Sequence, residues 1–326
     1  MRYHKDFSAA FALTCSVLLF AAGVACAETW PTKSIRVIVP LSAGSATDII
    51  PRTVFERVST QVGQSFVIEN RTGAGGTIGA NAVAKAEPDG YTILVHSNAH
   101  VITPAVFANL PYDVVRDFAG ITPLGNLPHV LVIAPSKNIK TLREFVAYAK
   151  AQPAGINYAS GGTGTPPHLN GAHFGIAMGF KAQHIPFKGA PEALTEVMAG
   201  RVDIYFSPIL PALPLIRDGQ LLVLAVTSAK RASALPNVPT ASEAGYPNSE
   251  FGLWIGMYVP AKTPRDIVNK LHEETVKALR TPGVHEKLGK LGVDEMIMSP
   301  EQFDTYVKEQ VTSNAALVKA AGIEAK

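Results

Sequence analysis

Two short stretches of this sequence carry residues suited to gripping an anion. Leu41–Thr47 and Ser160–Thr165 are small, polar and glycine-bearing. Each follows an apolar run and precedes a helical pattern, so each falls where a strand's carboxyl end meets a helix's amino end. Backbone N–H groups and the positive end of the helix dipole converge at such places, and open α/β sheets bind ligands there. Small side chains let an anion approach the backbone. A carboxylate leaves water at great cost unless donors replace its hydration. Several amides with Ser and Thr hydroxyls can replace it without a full countercharge. Either loop alone could be an ordinary α/β turn, but two equivalent loops in two α/β units favour binding.

Other chemistries find less support. The run Gly73-Ala74-Gly75-Gly76-Thr77-Ile78-Gly79 resembles a dinucleotide fingerprint, but Ile78 stands where the third glycine belongs. Ser160–Thr165 lacks the Gly-Lys-Ser/Thr ending of a phosphate-binding P-loop. His168 and His173 are five apart, not the four that put two ligands on one helix face. His96 and His100 straddle a strand end, so no metal site is expected. His168 reads as a supporting or capping group. No G-x-S-x-G elbow is present for a serine hydrolase. Neither an enzyme nor a cofactor is expected. The formal charge of +3 is spread without a basic block, which argues against a nucleic-acid partner.

The elements that position these loops alternate in type. With 326 residues, 47% hydrophobic and 17% charged, the chain is long enough for two domains and a large core. Arg2 and Lys5, the apolar run Phe7–Ala22 and Ala25-Cys26-Ala27 predict a signal peptide over 1–27, a mature start at Glu28 and export to the periplasm. A lipoprotein acylated at Cys26 is the rival reading, disfavoured because Gly23 stands where a large aliphatic residue is usual. Cys15 and Cys26 are the only cysteines, so cleavage leaves no thiol for disulfides or catalysis. Strands are predicted at 35–39, 66–68 and 92–95, with helices from Thr47 to a C-cap at Gly63 and over 77–86. A second unit follows: strands at 130–133, 156–159, 184–185, 204–206 and 222–226, a capping box at Thr141–Glu144, and a helix from Pro167. Three helices close the chain, at 264–279, 283–291 and 300–321. Such alternation predicts an α/β fold with a parallel sheet covered on both faces.

At these residues the chain resembles the Bug receptors, the extracytoplasmic solute-binding components of the tripartite tricarboxylate transporter family. The matching stretches are Trp30–Pro40, Gly44–Asp48, Val67–Gly76, Pro88–Thr92, Leu110–Asp113, Asn157–Ser160, Pro186–Gly189 and Ala225–Arg231. The resemblance implies a type II periplasmic-binding-protein fold: two α/β lobes with a ligand cleft between them, lobe 1 over 28–125 plus 228–326 and lobe 2 over 126–227. It implies a ligand carboxylate held by Ser42, Gly44, Ala46, Thr47 and Asp48 from the first lobe and by Ser160, Gly161, Thr163, Gly164 and Thr165 from the second. Phe187, Lys188 and Ser207 flank that pocket. Within the set, Asp48 is expected to cap its own helix, since two negatives repel. Lys188 is either a countercharge or a structural lysine beside a turn. Ser207-Pro208 replaces the family's frequent Asp-Asn, so a ligand amine loses its partner. The expected cargo is a non-amino carboxylate, a di- or tricarboxylate or an aromatic acid, bound by a monomer. Its partners would be transporter membrane subunits or, alternatively, a sensor receptor. An exported enzyme is the remaining rival.

Overall fold

The structure, a computed structural model, describes residues 30–247 and 249–325. The leader, its cleavage site and both cysteines lie outside the described residues. β-Branched apolar runs become strands where both faces are covered. β1 (Ile35–Val39) pairs in parallel with β2 (Phe66–Asn70) on one side and β3 (Thr92–Ser97) on the other. α1 (Ala46–Val62) links β1 to β2, and α2 (Thr77–Ala84) links β2 to β3. α3 (Ala99–Val106) precedes the 16-residue β4 (Phe118–Ile133). The second unit runs α4 (Leu142–Lys150), β5 (Ile156–Ser160), α5 (Pro166–Met178), β6 (Ala182–Pro186), α6 (Ala190–Met198), β7 (Ile204–Pro208), α7 (Ile209–Arg217) and β8 (Leu222–Val226). In it β5 lies parallel between β6 and β7, repeating the placement of β1 between β2 and β3. The chain returns through turns to β9 (Gly252–Pro260), then α8 (Arg265–Leu279), α9 (Pro282–Lys290) and α10 (Pro300–Ala320).

The strands form one sheet in the order β2-β1-β3-β9-β4-β7-β5-β6, with β8 also on β4. β4 joins the two α/β halves. Residues 118–128 of it pair antiparallel with β9, and residues 129–133 pair with β7 and β8. Among the described residues no helix is long and apolar enough to cross a membrane.

Departures from the sequence pattern have local causes. The pattern marks only 130–133 of β4, because Gly120, Pro123, Gly125 and Pro128 break the apolar run. Register shifts fall at Gly120/Thr122 and Pro123/Gly125, where bulges accept such residues. β9 was not predicted. It runs antiparallel to both its neighbours, so the sheet is mixed rather than parallel. Helices α3, α6 and α7 were also missed, and α3 and α7 carry internal prolines at Pro104 and Pro214. Pro51 is the sixth residue of α1, which leaves the Thr47 carbonyl without an intrahelical amide. The Thr141 hydroxyl caps α4 by accepting the Glu144 amide at 3.1 Å, but the Glu144 carboxylate takes the Lys140 amide instead of closing the box. Gly63 ends α1 at φ 72° as predicted.

Each half has its own core. One gathers Ile38, Leu94, Tyr112, Phe118, Trp254, Tyr258 and Phe303, and the other Leu131, Phe145, Tyr158, Phe174, Phe206 and Tyr246. A smaller cluster joins Ile102 and Val106 of α3 to Leu169 of α5 and Val318 of α10. Phe303 is fully buried, with its ring centroid 5.2 Å from Tyr258 and 5.7 Å from Trp254. Phe303→Ala is expected to lower the unfolding free energy by about 3–5 kcal/mol, read as a shifted urea midpoint.

Candidate functional site

The two halves repeat one connection. From β1 the chain steps to β2 on one side, then crosses to β3 on the other; from β5 it steps to β6, then crosses to β7. Such reversals open a crevice at the strands' carboxyl ends. The segments after β1, β2, β5 and β6 meet there around a cavity of about 410 Å³. Its walls are Pro40, Leu41, Gly73–Gly76, Phe107, Gly161–Thr163, Pro186–Lys188 and Glu192.

These segments touch in crossed pairs. The segment after β1 meets the one after β6: the Ser42 amide donates to the Lys188 carbonyl at 3.2 Å, and a Cβ on Gly189 would lie 2.0 Å from Ser42 Oγ. The segment after β2 meets the one after β5: a Cβ on Gly75 would lie 2.0 Å from the Thr163 carbonyl oxygen. Gly75 and Gly162 also hold φ of +65° and +133°, which side chains rarely adopt. Only glycine permits these approaches.

Each loop is braced from behind. The Asp48 carboxylate, third residue of α1, accepts the Gly44 amide at 3.0 Å, the Arg52 guanidinium at 2.8 Å and the Asn70 amide at 3.0 Å. Burial alone would raise its pKa, but these donors hold it below the usual carboxylate value. Asn70 also donates to the Leu41 carbonyl, tying the loop to β2. Thus Asp48 caps backward onto its loop. In the second half the fully buried Ser160 hydroxyl lies 2.6 Å from His184 Nε2 and bonds both the amide and the carbonyl of Gly162 at 3.0 Å. A nucleophile and its base would show the same spacing, but this hydroxyl is committed to its own loop. His168 stacks on His184 at 3.9 Å and accepts the Gly164 amide.

The residues named from sequence separate by position. Gly161, Thr163, Phe187 and Lys188 line the cavity. Ser42 and Gly44 abut the opposite half, at Gly189 and Pro191. Ala46 and Thr47 open α1 and are buried. Asp48, Ser160 and Thr165 stand behind the loops, the Thr165 hydroxyl donating to the Gly162 carbonyl at 2.6 Å. Gly164 packs against Phe107 and Thr103. Ser207 lies in β7 opposite Val130, and its hydroxyl donates to the Pro208 carbonyl. Gly73–Gly76 and Phe107 were missed. The glycine run was set aside as a failed nucleotide motif, although it too follows a strand and opens a helix, the signal used for the other loops.

Two buried histidines stand near this region. His96 lies behind Gly76, where a Cβ would come within 2.4 Å of its Nε2; burial pushes its pKa down to about 3. His100 packs against Phe118 and Tyr258 at 4.7 and 4.8 Å, and burial depresses it strongly too. No group of three or more His, Cys, Asp or Glu among the described residues could hold a metal. A larger cavity, about 770 Å³, lies between α5, β6 and the tail 321–325. The crevice is instead chosen by its helix starts: α1, α2, α5 and α6 have their N-caps at Ser45, Gly76, Thr165 and Gly189, four positive dipole ends near one space.

Known proteins share this arrangement. The family model described as tripartite tricarboxylate transporter family receptor matches residues 50–323. BugT of Bordetella pertussis is 30% identical over 315 residues, covering 95% of this chain and 97% of that protein. A solved R. palustris protein with adipate aligns with a TM-score of 0.88 at 30% identity, over 91% of this chain and 100% of its own. MatC from Rhodopseudomonas palustris, with bound malate, aligns with a TM-score of 0.84 at 30% identity, over 89% and 100%.

Two substitutions probe this geometry. Gly75→Ala places a methyl against the Thr163 carbonyl and is expected to hold the halves apart, read by small-angle scattering as a larger radius of gyration than wild type. Asp48 has a lowered folded-state pKa, so its stabilisation is full above the unfolded value and lost as pH falls through the folded one. Asp48→Asn is expected to cost about 1–3 kcal/mol at neutral pH. It should also flatten the loss of stability below about pH 4, read by urea titrations across that range.

Proposed function

Since the chain belongs to the tripartite tricarboxylate transporter receptor family, we propose that it is a periplasmic receptor that captures a small carboxylate by closing two lobes on it. The observation that carries this reading is the single cavity walled by four loops, two from each half, each leading into a helix start. Relatives solved with adipate and with malate support the carboxylate class. The lobes are 28–125 plus 228–326 and 126–227, except that Tyr246 and Phe251 pack in the second core, which moves the return crossing to the start of β9. Ligand contacts come from the segments after β1 and β5, flanked by Phe187 and Lys188, with Gly73–Gly76 added to the set. Asp48, Ser160 and Thr165 hold the loops in shape.

Closure follows from where the donors lie. A carboxylate reaching both halves finds all its partners only in the closed cleft, so it binds that state better and shifts the population toward it. Moving from 1:99 to 99:1 takes about 5.5 kcal/mol of differential binding. The membrane subunits of a transporter then read the closed shape. The receptor releases its cargo unchanged, because the polar side chains at the loops serve as braces. The leader at 1–27 directs export.

The test is a calorimetric and thermal-unfolding panel of mono-, di- and tricarboxylates on the mature protein. A true cargo at 100 times its Kd should stabilise by about 2.7 kcal/mol and shrink the radius of gyration. Absence of any carboxylate effect would sink the reading.

A further inference from the structure

A further cavity, of about 400 Å³, lies where the chain passes between the halves, and it shares no wall residue with the crevice. Its volume falls in the range of small-molecule sites. Three crossing segments wall it: Asn126–Pro128 of β4, Thr227–Ala229 after β8, and Glu250 with Gly252–Trp254 at the start of β9. The first half adds Asn98 before α3, Asp294 after α9 and Tyr306 of α10. Thr227–Ala229 belong to the stretch Ala225–Arg231, which the crevice does not use.

The charge of this wall has one sign. Glu250 and Asp294 are its charged side chains, and both are exposed. Neither makes an ion pair or a side-chain hydrogen bond among the described residues. Basic groups nearby in sequence do not compensate them. Arg231 is paired with Glu243 at 2.9 Å, His285 lies 3.8 Å from Glu295, and the exposed Lys230 is outside the wall.

A second, independent feature is an unmatched acceptor. Asn98 is only 8% exposed, and its Nδ2 donates to the Gly252 carbonyl at 3.1 Å. That bond fixes which amide atom is which. Its Oδ1 has no hydrogen-bond partner among the described residues. Buried acceptors are rarely left so, and this one calls for a donor from outside the chain. Trp254 and Tyr306 add aromatic rings to the wall, their centroids 5.5 Å apart. The Trp254 indole N–H is unpaired as well, but it is the ring face, not the N–H, that attracts a cation.

We infer that this cavity is a second ligand site, for a small organic cation bearing ammonium or guanidinium groups. Glu250 and Asp294 supply the countercharge, Asn98 Oδ1 the neutral acceptor, and Trp254 and Tyr306 the π-systems. A metal ion is a poorer fit. No group of three or more His, Cys, Asp or Glu among the described residues could hold one, and a hard ion prefers oxygen ligands to aromatic rings. The inference is independent of the carboxylate-receptor reading, because the two cavities share no residue and call for ligands of opposite charge.

The probe is agmatine, which carries a guanidinium and an amine. It is titrated calorimetrically into the mature protein at about 150 mM salt, with 4-guanidinobutyrate, in which a carboxylate replaces the amine, as control. Agmatine is expected to bind at least about tenfold more tightly than the control. Glu250→Gln and Asp294→Asn should each weaken agmatine by about two- to fivefold, and together by about tenfold. Both side chains are exposed, so the thermal midpoint should stay at the wild-type value. Trp30→Phe leaves Trp254 as the one tryptophan of the chain, and agmatine should then shift its emission. Failure of agmatine to bind, equal affinity for the two probes, an unaffected double variant or an unshifted Trp254 emission would each overturn the inference. Adipate titrated into the same double variant should behave as with wild type, so the receptor reading stands or falls separately.

Discussion

An anion leaves water only where fixed donors take over its hydration, and that constraint organises this molecule. The fold answers it by repetition. Each half places a strand between two parallel neighbours and reverses direction once, so each half delivers two loop-to-helix junctions to the same edge of the sheet. Four dipole ends reach one cavity. Two are spent on the protein's own carboxylates, Asp48 and Glu192, which fix the loop backbones.

Close approach of the halves depends on residues that have no side chain. Gly75 and Gly189 meet the Thr163 carbonyl and Ser42 across the cleft at distances that no Cβ allows. The crossed pairing of loops means that the cavity is walled by both halves. The chain runs between halves in β4 and β9, whose mutual ladder is interrupted by bulges and prolines near the crossover. The apolar cluster of Ile102, Val106, Leu169 and Val318 adds a second contact between the halves.

Buried polar groups away from the cavity keep the loops rigid. Ser160, His184, His168 and Thr165 form a connected set behind Gly162–Gly164. A satisfied network of this kind fixes backbone geometry, which is what amide donors need to be pre-organised. The same residues could be misread as catalytic from spacing alone; the Ser160 hydroxyl is committed to its own loop backbone.

Much of this was legible from residue order. The β-branched runs at 35–39 and 222–226, the C-cap at Gly63, the two glycine-bearing loops and the family motifs are local signals, and local signals survive in sequence. Others were masked or ambiguous. Prolines and glycines hid the first half of β4, internal prolines obscured α3 and α7, and the glycine run at 73–76 looked like a failed motif of another kind. Which loops meet across the cleft and that Phe107 faces the same cavity as Phe187 depend on contacts between residues tens to hundreds of positions apart. Residue types set each loop's capacity to bind an anion; only the crossing of the chain through β4 and β9 decided which of those capacities are brought together, because charge and shape add up in space and not along the chain.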